Sequence, residues 1–139
     1  MTRGALMLAA GIAVAAVGMT AARHDEEHKA VRQLSVWEIV EKLDGKEASA
    51  TAVGVTYEPG QAGAPHRHPG PTFGYVIEGE YEWAIDDQPA RVLKAGETFY
   101  EPGGRLHRVT RNPGKVKTRV IAWVLHPRDT KVIAIPVSQ

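Results

Sequence analysis

The sequence predicts an all-β fold, either a sandwich or a barrel, and three observations support this prediction. Short segments rich in Val, Thr, Tyr and Trp recur along the chain after residue 47. Gly and Pro residues separate these segments, as is typical of turns between strands. In residues 80–85 large apolar side chains occupy every second position, which is the period of a strand with one buried face.

The predicted strands are apolar segments bounded by turns. They cover residues 48–57, 75–78, 80–85, 90–93, 98–101, 106–110, 116–125 and 132–137. Turns are expected at residues 86–89 and 112–114, where Asp, Asn, Gly and Pro cluster. The run 121–125 is apolar without alternation, so we expect this part of its strand to be buried on both faces.

Residues 35–45 have helical features. Ser35 and Glu38 fit a capping box, and apolar residues follow at helical spacing until Gly45. We therefore expect a short capped helix in this segment. A strand is the alternative, because the apolar residues around Trp37 also suit one.

Residues 1–22 predict a secretory signal peptide. Arg3 gives a positive start, residues 4–19 are uncharged and mostly apolar, and the small residues of 20–22 suit cleavage. The protein is then periplasmic or secreted, with no stable membrane association after cleavage. An uncleaved N-terminal membrane anchor is the alternative, because residues 4–22 approach the length that spans a bilayer. Residues 23–33 are predicted to form a polar linker, and residues 34–139 the folded domain.

The composition excludes several classes of function. A chain of 139 residues with 43% hydrophobic and 24% charged residues suits one globular domain. The net charge is +1 and no basic face is evident, so we expect no nucleic-acid partner. The chain has no cysteine, which excludes disulfides, cysteine-ligated zinc, iron–sulfur clusters and thiol catalysis.

Three histidines predict a metal site. His66 and His68 are two residues apart, so on an extended strand both imidazoles point to the same side. His107 lies in a later predicted strand, just after the turn at residues 102–104. Neighbouring antiparallel strands would bring the three imidazoles to one point. Imidazole nitrogen suits zinc, copper, iron and nickel, and three such ligands leave other positions open for substrate or water.

The residues around His66 and His68 resemble the first motif of the cupins, specifically of small single-domain bacterial cupins. That motif has Gly, five residues, His-x-His, three or four residues, Glu, six residues and Gly. Here Gly60, the two histidines and Gly79 stand at these spacings, with Thr72 at the position of the glutamate.

The residues around His107 resemble the second cupin motif, which has Gly, five residues, Pro-x-Gly, two residues, His, three residues and Asn. Gly96, Pro102, Gly104 and His107 match it, while the asparagine is one position late at Asn112. The resemblance implies an all-β fold with a single antiparallel β-barrel of the cupin or jelly-roll type. It also implies pairing of two barrels through edge strands, and we expect a homodimer.

Thr72 is the main departure from the cupin pattern. With threonine in place of glutamate, the ligands would be three neutral imidazoles, and a divalent ion would keep its full charge. Three-histidine sites occur in some cupin oxygenases that bind iron and an anionic, chelating substrate. The resemblance therefore implies a divalent transition metal, with iron favoured and Mn, Ni, Cu or Zn as alternatives. We expect an oxygenase acting on a small anionic or chelating molecule, or alternatively a non-catalytic cupin of the periplasm that binds a small molecule or metal.

Further residues are candidates for the substrate pocket. They are Thr72, Tyr75, Trp83, Tyr100 and Glu101. For the aromatic residues, and for Trp123, a place in the core is the favoured interpretation. For Glu101 we favour an exposed position over a role as outer ligand or general base. Arg67, Arg105 and Arg108 are candidates for holding an anion at the barrel mouth, although strand alternation points Arg67 outward. His126 is expected to be exposed at the end of a strand.

Overall fold

The computed structural model describes residues 30–137, which fold into β-strands without a helix. The predicted signal peptide, residues 1–22, and residues 23–29 of the predicted linker lie outside this range. Within the described residues, no helix is long and apolar enough to cross a membrane. In chain order the strands are β1 (Val31–Leu43), β2 (Lys46–Tyr57), β3 (His66–Arg67), β4 (Thr72–Glu78), β5 (Glu80–Ile85), β6 (Arg91–Lys94), β7 (Thr98–Glu101), β8 (Leu106–Arg111), β9 (Thr118–Pro127) and β10 (Ile135–Pro136).

The strands form two five-stranded antiparallel sheets. One has the order β1-β2-β9-β4-β7, and the other has the order β10-β3-β8-β5-β6. Consecutive strands lie in the same sheet only for β1 and β2 and for β5 and β6, and at every other connection of the described strands the chain passes from one sheet to the other. This is a jelly-roll-like arrangement, so the predicted all-β antiparallel fold is confirmed.

The segment expected to be a helix is a strand. β1 pairs with β2 along its whole length, from Val31 opposite Val55 to Leu43 opposite Lys46. The two strands are joined by Asp44-Gly45, and both residues have positive φ, 50° and 75°. Two such residues form a type I′ turn, whose twist matches that of paired strands. The helix prediction was wrong because Gly45 ends a hairpin turn here and does not end a helix. The strand also includes residues 31–33 of the range expected to be a linker.

The core lies between the two sheets. It is built from side chains that occupy alternate positions of the strands: Val53, Tyr57, Val76, Tyr81, Trp83, Ile85, Leu93, Phe99, Val120 and Ala122. Removing each large side chain of this kind from water contributes about 1.5–3 kcal/mol. β9 alternates between buried residues and residues that are half-buried or exposed, and Trp123 is 40% exposed. The expected burial of residues 121–125 on both faces was therefore wrong, because no layer of the described chain covers the outer face of this sheet.

Candidate metal centre

The three predicted histidine ligands converge between the sheets. β3 and β8 are antiparallel neighbours, and His66 lies directly opposite His107. Side chains of directly opposed residues project to the same face, and His68 follows two residues after His66. One ring nitrogen from each of the three imidazoles lies within 4.8 Å of the other two. The fold therefore provides three imidazole donors at one point.

The hydrogen bonds of His66 and His68 fix which nitrogen of each ring is free. His66 Nδ1 is 2.9 Å from the carbonyl oxygen of Ala64, and His68 Nδ1 is 2.5 Å from that of Ile133. A carbonyl oxygen only accepts, so both Nδ1 atoms carry the hydrogen. The two Nε2 atoms then face each other, 3.1 Å apart. In a neutral ring with the hydrogen on Nδ1, Nε2 carries the lone pair and is the atom that binds a metal ion. Hydrogen bonds from Nδ1 to carbonyls also orient metal-binding histidines.

Burial lowers the pKa of two of the three histidines, so that they are neutral at pH 7. It lowers the pKa of His68 to about 4, partly offset by the hydrogen bond to Ile133. Burial also lowers the pKa of His107 to about 3, and the neighbouring His66 and His68 add to this effect. Neutral imidazole is the form that binds metals, so both rings are ready to coordinate an ion at neutral pH.

Glu101 is buried beside the histidines, with 2% of its surface exposed. The favoured expectation of an exposed position was wrong, because the two inward residues of β7 are Phe99 and Glu101. Its Oε1 accepts a hydrogen bond from Trp83 Nε1 at 3.0 Å. Burial raises the pKa of Glu101 to about 7, while the bond from Trp83 opposes the rise. Its contacts with His68 (3.4 Å) and His107 (3.2 Å) are not ion pairs, because both rings are neutral.

Three buried polar atoms of residues that line the same cavity have no hydrogen-bond partner among residues 30–137. They are Thr72 Oγ1, Glu101 Oε2 and His107 Nδ1. A buried polar atom without a partner costs about 1–3 kcal/mol, so such a cluster requires a reason. A divalent transition metal provides one, because nitrogen and carboxylate donors both suit it. The side chains present therefore fit the metal that the cupin resemblance implies.

The histidines border a cavity of about 190 Å³ between the sheets. Much of its wall is apolar and includes Phe99, Val120 and Val124. Tyr81 lies in the same wall, with its hydroxyl 2.8 Å from Thr110 Oγ1 and 3.4 Å from His107 Nε2. Tyr81 was not predicted as a site residue. Tyr81 and Trp83 are two residues apart, which indicated that both side chains project to the same face of the sheet. Nothing in the motifs linked that face to His107.

The residues predicted to line the pocket divide into two groups. Thr72 and Glu101 line the cavity, and Trp83 is a core residue that contacts Glu101. Tyr75 and Tyr100 do not line it. They are 43% and 51% exposed and line a separate groove, which Trp83 also borders. The core interpretation was wrong for both, and for Trp123 in the same groove, because their positions in the strands point outward.

The arginines near the histidines in sequence do not line the cavity. Arg105 contacts Asp86 at 2.5 Å, and Arg108 donates to the carbonyl oxygens of Asp86 and Gln88. These two arginines therefore hold the turn between β5 and β6. Arg67 donates to the carbonyl oxygen of Gly104 at 2.8 Å. None of the three is placed to bind an anion inside the cavity.

His126 was expected to be exposed but is buried, with 4% of its surface exposed. Its Nε2 is 2.8 Å from Thr51 Oγ1, and its Nδ1 is 2.8 Å from the carbonyl oxygen of Pro127. The expectation failed because the inward alternation of β9 continues to the end of the strand. His126 is satisfied by these contacts and is not part of the three-histidine group.

Solved structures with this fold are similar to the chain at low sequence identity. A Cupin 2 conserved barrel domain protein from Salinispora arenicola has a TM-score of 0.56 and 17% identity, covering 86% of this chain and 92% of that one. A conserved protein with a double-stranded β-helix domain from Klebsiella pneumoniae has a TM-score of 0.54 and 22% identity. The alignment covers 70% of this chain and 91% of that one. These two similarities establish the fold alone.

An oxalate oxidase in complex with the substrate analogue glycolate has a TM-score of 0.50 and 26% identity. The alignment covers 75% of this chain but only 55% of the oxidase. No curated protein matches the chain. Residues 54–124, which include all three histidines, match the family model described as Cupin domain. The chain therefore belongs to the cupin domain family.

Proposed function

We propose that this cupin binds a divalent transition metal, preferably iron, through His66, His68 and His107 and acts as an oxygenase. The observation that carries the proposal is the convergence of the three imidazoles at the edge of a cavity, with the Nε2 atoms of His66 and His68 3.1 Å apart. Iron bound there would supply Lewis-acid and redox chemistry. The protein's own contribution is to keep His68 and His107 neutral, to orient His66 and His68 through backbone carbonyls, and to exclude water with apolar walls.

The proposed substrate is a small anionic or chelating molecule. A cavity of about 190 Å³ is smaller than the roughly 300–1,000 Å³ typical of pockets for drug-sized ligands. The similarity to an oxalate oxidase that holds glycolate supports a small carboxylate in particular. Tyr81, Thr110 and Thr72 in the wall are among the polar groups that can hydrogen-bond such a molecule beside the histidines.

Oxygen consumption tests this proposal. The iron-loaded protein is mixed with a panel of thiols, diketones, phenols and small carboxylates such as oxalate and glycolate. We expect uptake with at least one class, and none when the protein carries zinc, which has no redox chemistry. Binding of a panel member without oxygen uptake would instead favour the non-catalytic binding protein. A protein that binds no divalent metal would contradict the oxygenase and leave only a cupin that binds a small molecule without a metal.

We also propose that the protein is exported and cleaved near Ala22, because residues 20–22 end an apolar segment with small side chains. Mass spectrometry of protein from the exported fraction tests this. Loss of residues 1–22 is the expected result, and recovery of the intact N-terminus in membranes would favour an anchor.

We propose further that two barrels form a homodimer. β1 is the edge strand of its sheet and has 13 residues, and its Trp37 and Val40 side chains are 66% and 91% exposed. A long apolar edge strand is prone to unwanted pairing, and a second copy would cover it. Sedimentation at micromolar concentration tests this, and a monomer would contradict it.

A further inference from the structure

We propose that Glu101 is the carboxylate ligand of this metal centre, in place of the glutamate that the cupin motif has at the position of Thr72. The inference rests on the metal centre proposed above and adds a fourth ligand to its three histidines. The carboxylate would come from β7 instead of β4.

The pairing of β4 with β7 makes this replacement feasible. Thr72 and Glu101 are directly opposite each other in the two strands. Side chains of such a pair project to the same face, with Cβ atoms about 4.5–5.5 Å apart. Both residues are almost fully buried, at 1% and 2% exposure, and both line the cavity. A carboxylate at position 101 therefore reaches the region that one at position 72 would occupy.

The distances from Glu101 to two of the histidines are compatible with a shared ion. Its Oε2 lies 3.4 Å from His68 Nε2, and its Oε1 lies 3.2 Å from His107 Nδ1. Two ligand atoms of one ion with bonds near 2.0–2.2 Å are at most about 4.4 Å apart. Oε2 makes no hydrogen bond within residues 30–137, whereas Oε1 accepts one from Trp83. Trp83 therefore holds one oxygen and leaves the other available to a cation.

The same pairing explains why a small neutral residue is present at position 72. Glutamates at both positions would place two carboxylates side by side in a buried site, where their charges repel. With Glu101 as a ligand, the ion and its ligands carry a net charge of about +1. The sequence-based expectation of three neutral ligands and a full charge of +2 is then replaced by the charge balance usual for cupins.

Cobalt titration of the full chain tests the inference. Glu101→Gln keeps an oxygen that can accept from Trp83 but removes the carboxylate. We expect the affinity for Co²⁺ to fall at least tenfold, with a change in the visible absorption that reports the ligand set. The double variant Thr72→Glu with Glu101→Gln should recover most of the affinity, because the carboxylate returns on the opposite strand. Glu78→Gln, at an exposed position of β4, is the matched control and should bind like the native protein.

The outcomes separate this inference from the proposed function. If the native protein binds Co²⁺ and Glu101→Gln binds it with unchanged affinity and absorption, Glu101 is not a ligand and the three-histidine centre stands. The same conclusion follows if Glu101→Gln binds weakly and the folded double variant gains nothing. If the native protein binds no metal, the proposed function fails and this inference fails with it. Thermal melts of each variant show whether weak binding reflects unfolding.

Discussion

β4 and β7 present opposite kinds of surface on their two faces. Toward the cavity they place Thr72 and Glu101, which are almost fully buried beside the histidines. Toward solvent the same two strands place Phe73, Tyr75 and Tyr100, which are between 43% and 51% exposed. Tyr100 and Glu101 are neighbours in sequence but lie on opposite sides of the sheet. In this fold, the face of the sheet to which a side chain projects decides whether the residue belongs to the site, more than its residue type does.

The largest expected difference between the two faces is in metal binding. His107→Ala removes an inward imidazole and leaves Glu101 buried without its nearest imidazole neighbour. We expect the affinity for divalent metal to fall at least about 100-fold, because losing a ligand costs more than losing its supporting contacts. Tyr100→Ala on the outer face should leave affinity unchanged. Metal content after dialysis and calorimetric titration measure both. If both variants lost metal affinity equally, the metal centre would not be at the point where the histidines converge.

This difference between faces was only partly predictable from sequence. The two-residue period of a strand already separates Tyr100 from Glu101, and Thr72 from Tyr75, so one pocket could not contain all four. The four residues were predicted to share one pocket because they lie near the motifs in sequence, and the alternation of side chains along a strand was not applied to them. The direct pairing of Thr72 with Glu101 could not be predicted, because strand register depends on contacts between distant parts of the chain. No local sequence pattern indicates which residues of two strands will lie opposite each other.

The fold was more predictable than the site. The Gly and Pro turns and the apolar segments located most strands to within a few residues, and the histidine spacing located β3 and β8 relative to each other. β1 was expected only as the alternative to a helix, although Asp44-Gly45 is a strong hairpin signal. Apolar residues at helical spacing outweighed that signal in the prediction. Pairing with β2 decided the outcome, since it satisfies the backbone of both strands.

A second prediction concerns packing on the inner face. A Cβ atom at Gly74 would lie 1.9 Å from Phe99 Cζ, inside the core. We expect Gly74→Ala to destabilise the fold by about 1–3 kcal/mol or more, as overpacking of a tight core does. Denaturant unfolding measures the change. Phe99→Leu should relieve part of the clash, so the double variant should be more stable than the sum of the two single changes implies.

Gly54→Ala is the matched control for Gly74→Ala. Gly54 is also in a strand, but a Cβ atom there would meet only Leu34, at an ordinary 3.5 Å. We expect this variant to be as stable as the native protein or slightly more stable, because alanine restricts the unfolded chain. If Gly54→Ala lost as much free energy of unfolding as Gly74→Ala, glycine would be needed in these strands for a reason other than contact with Phe99.

The smallest expected effect is on the outer face. The rings of Phe73 and Tyr100 are stacked with centroids 5.2 Å apart, on residues that lie directly opposite each other. Exposed pairs of this kind contribute at the low end of about 0.5–1.5 kcal/mol. A double-mutant cycle with Phe73→Ala and Tyr100→Ala should therefore give a coupling below about 1 kcal/mol, with metal affinity unchanged. If the coupling is larger and increases with protein concentration, the outer face is part of the contact between two copies. The proposed dimer would then use this aromatic surface and not the edge strand β1.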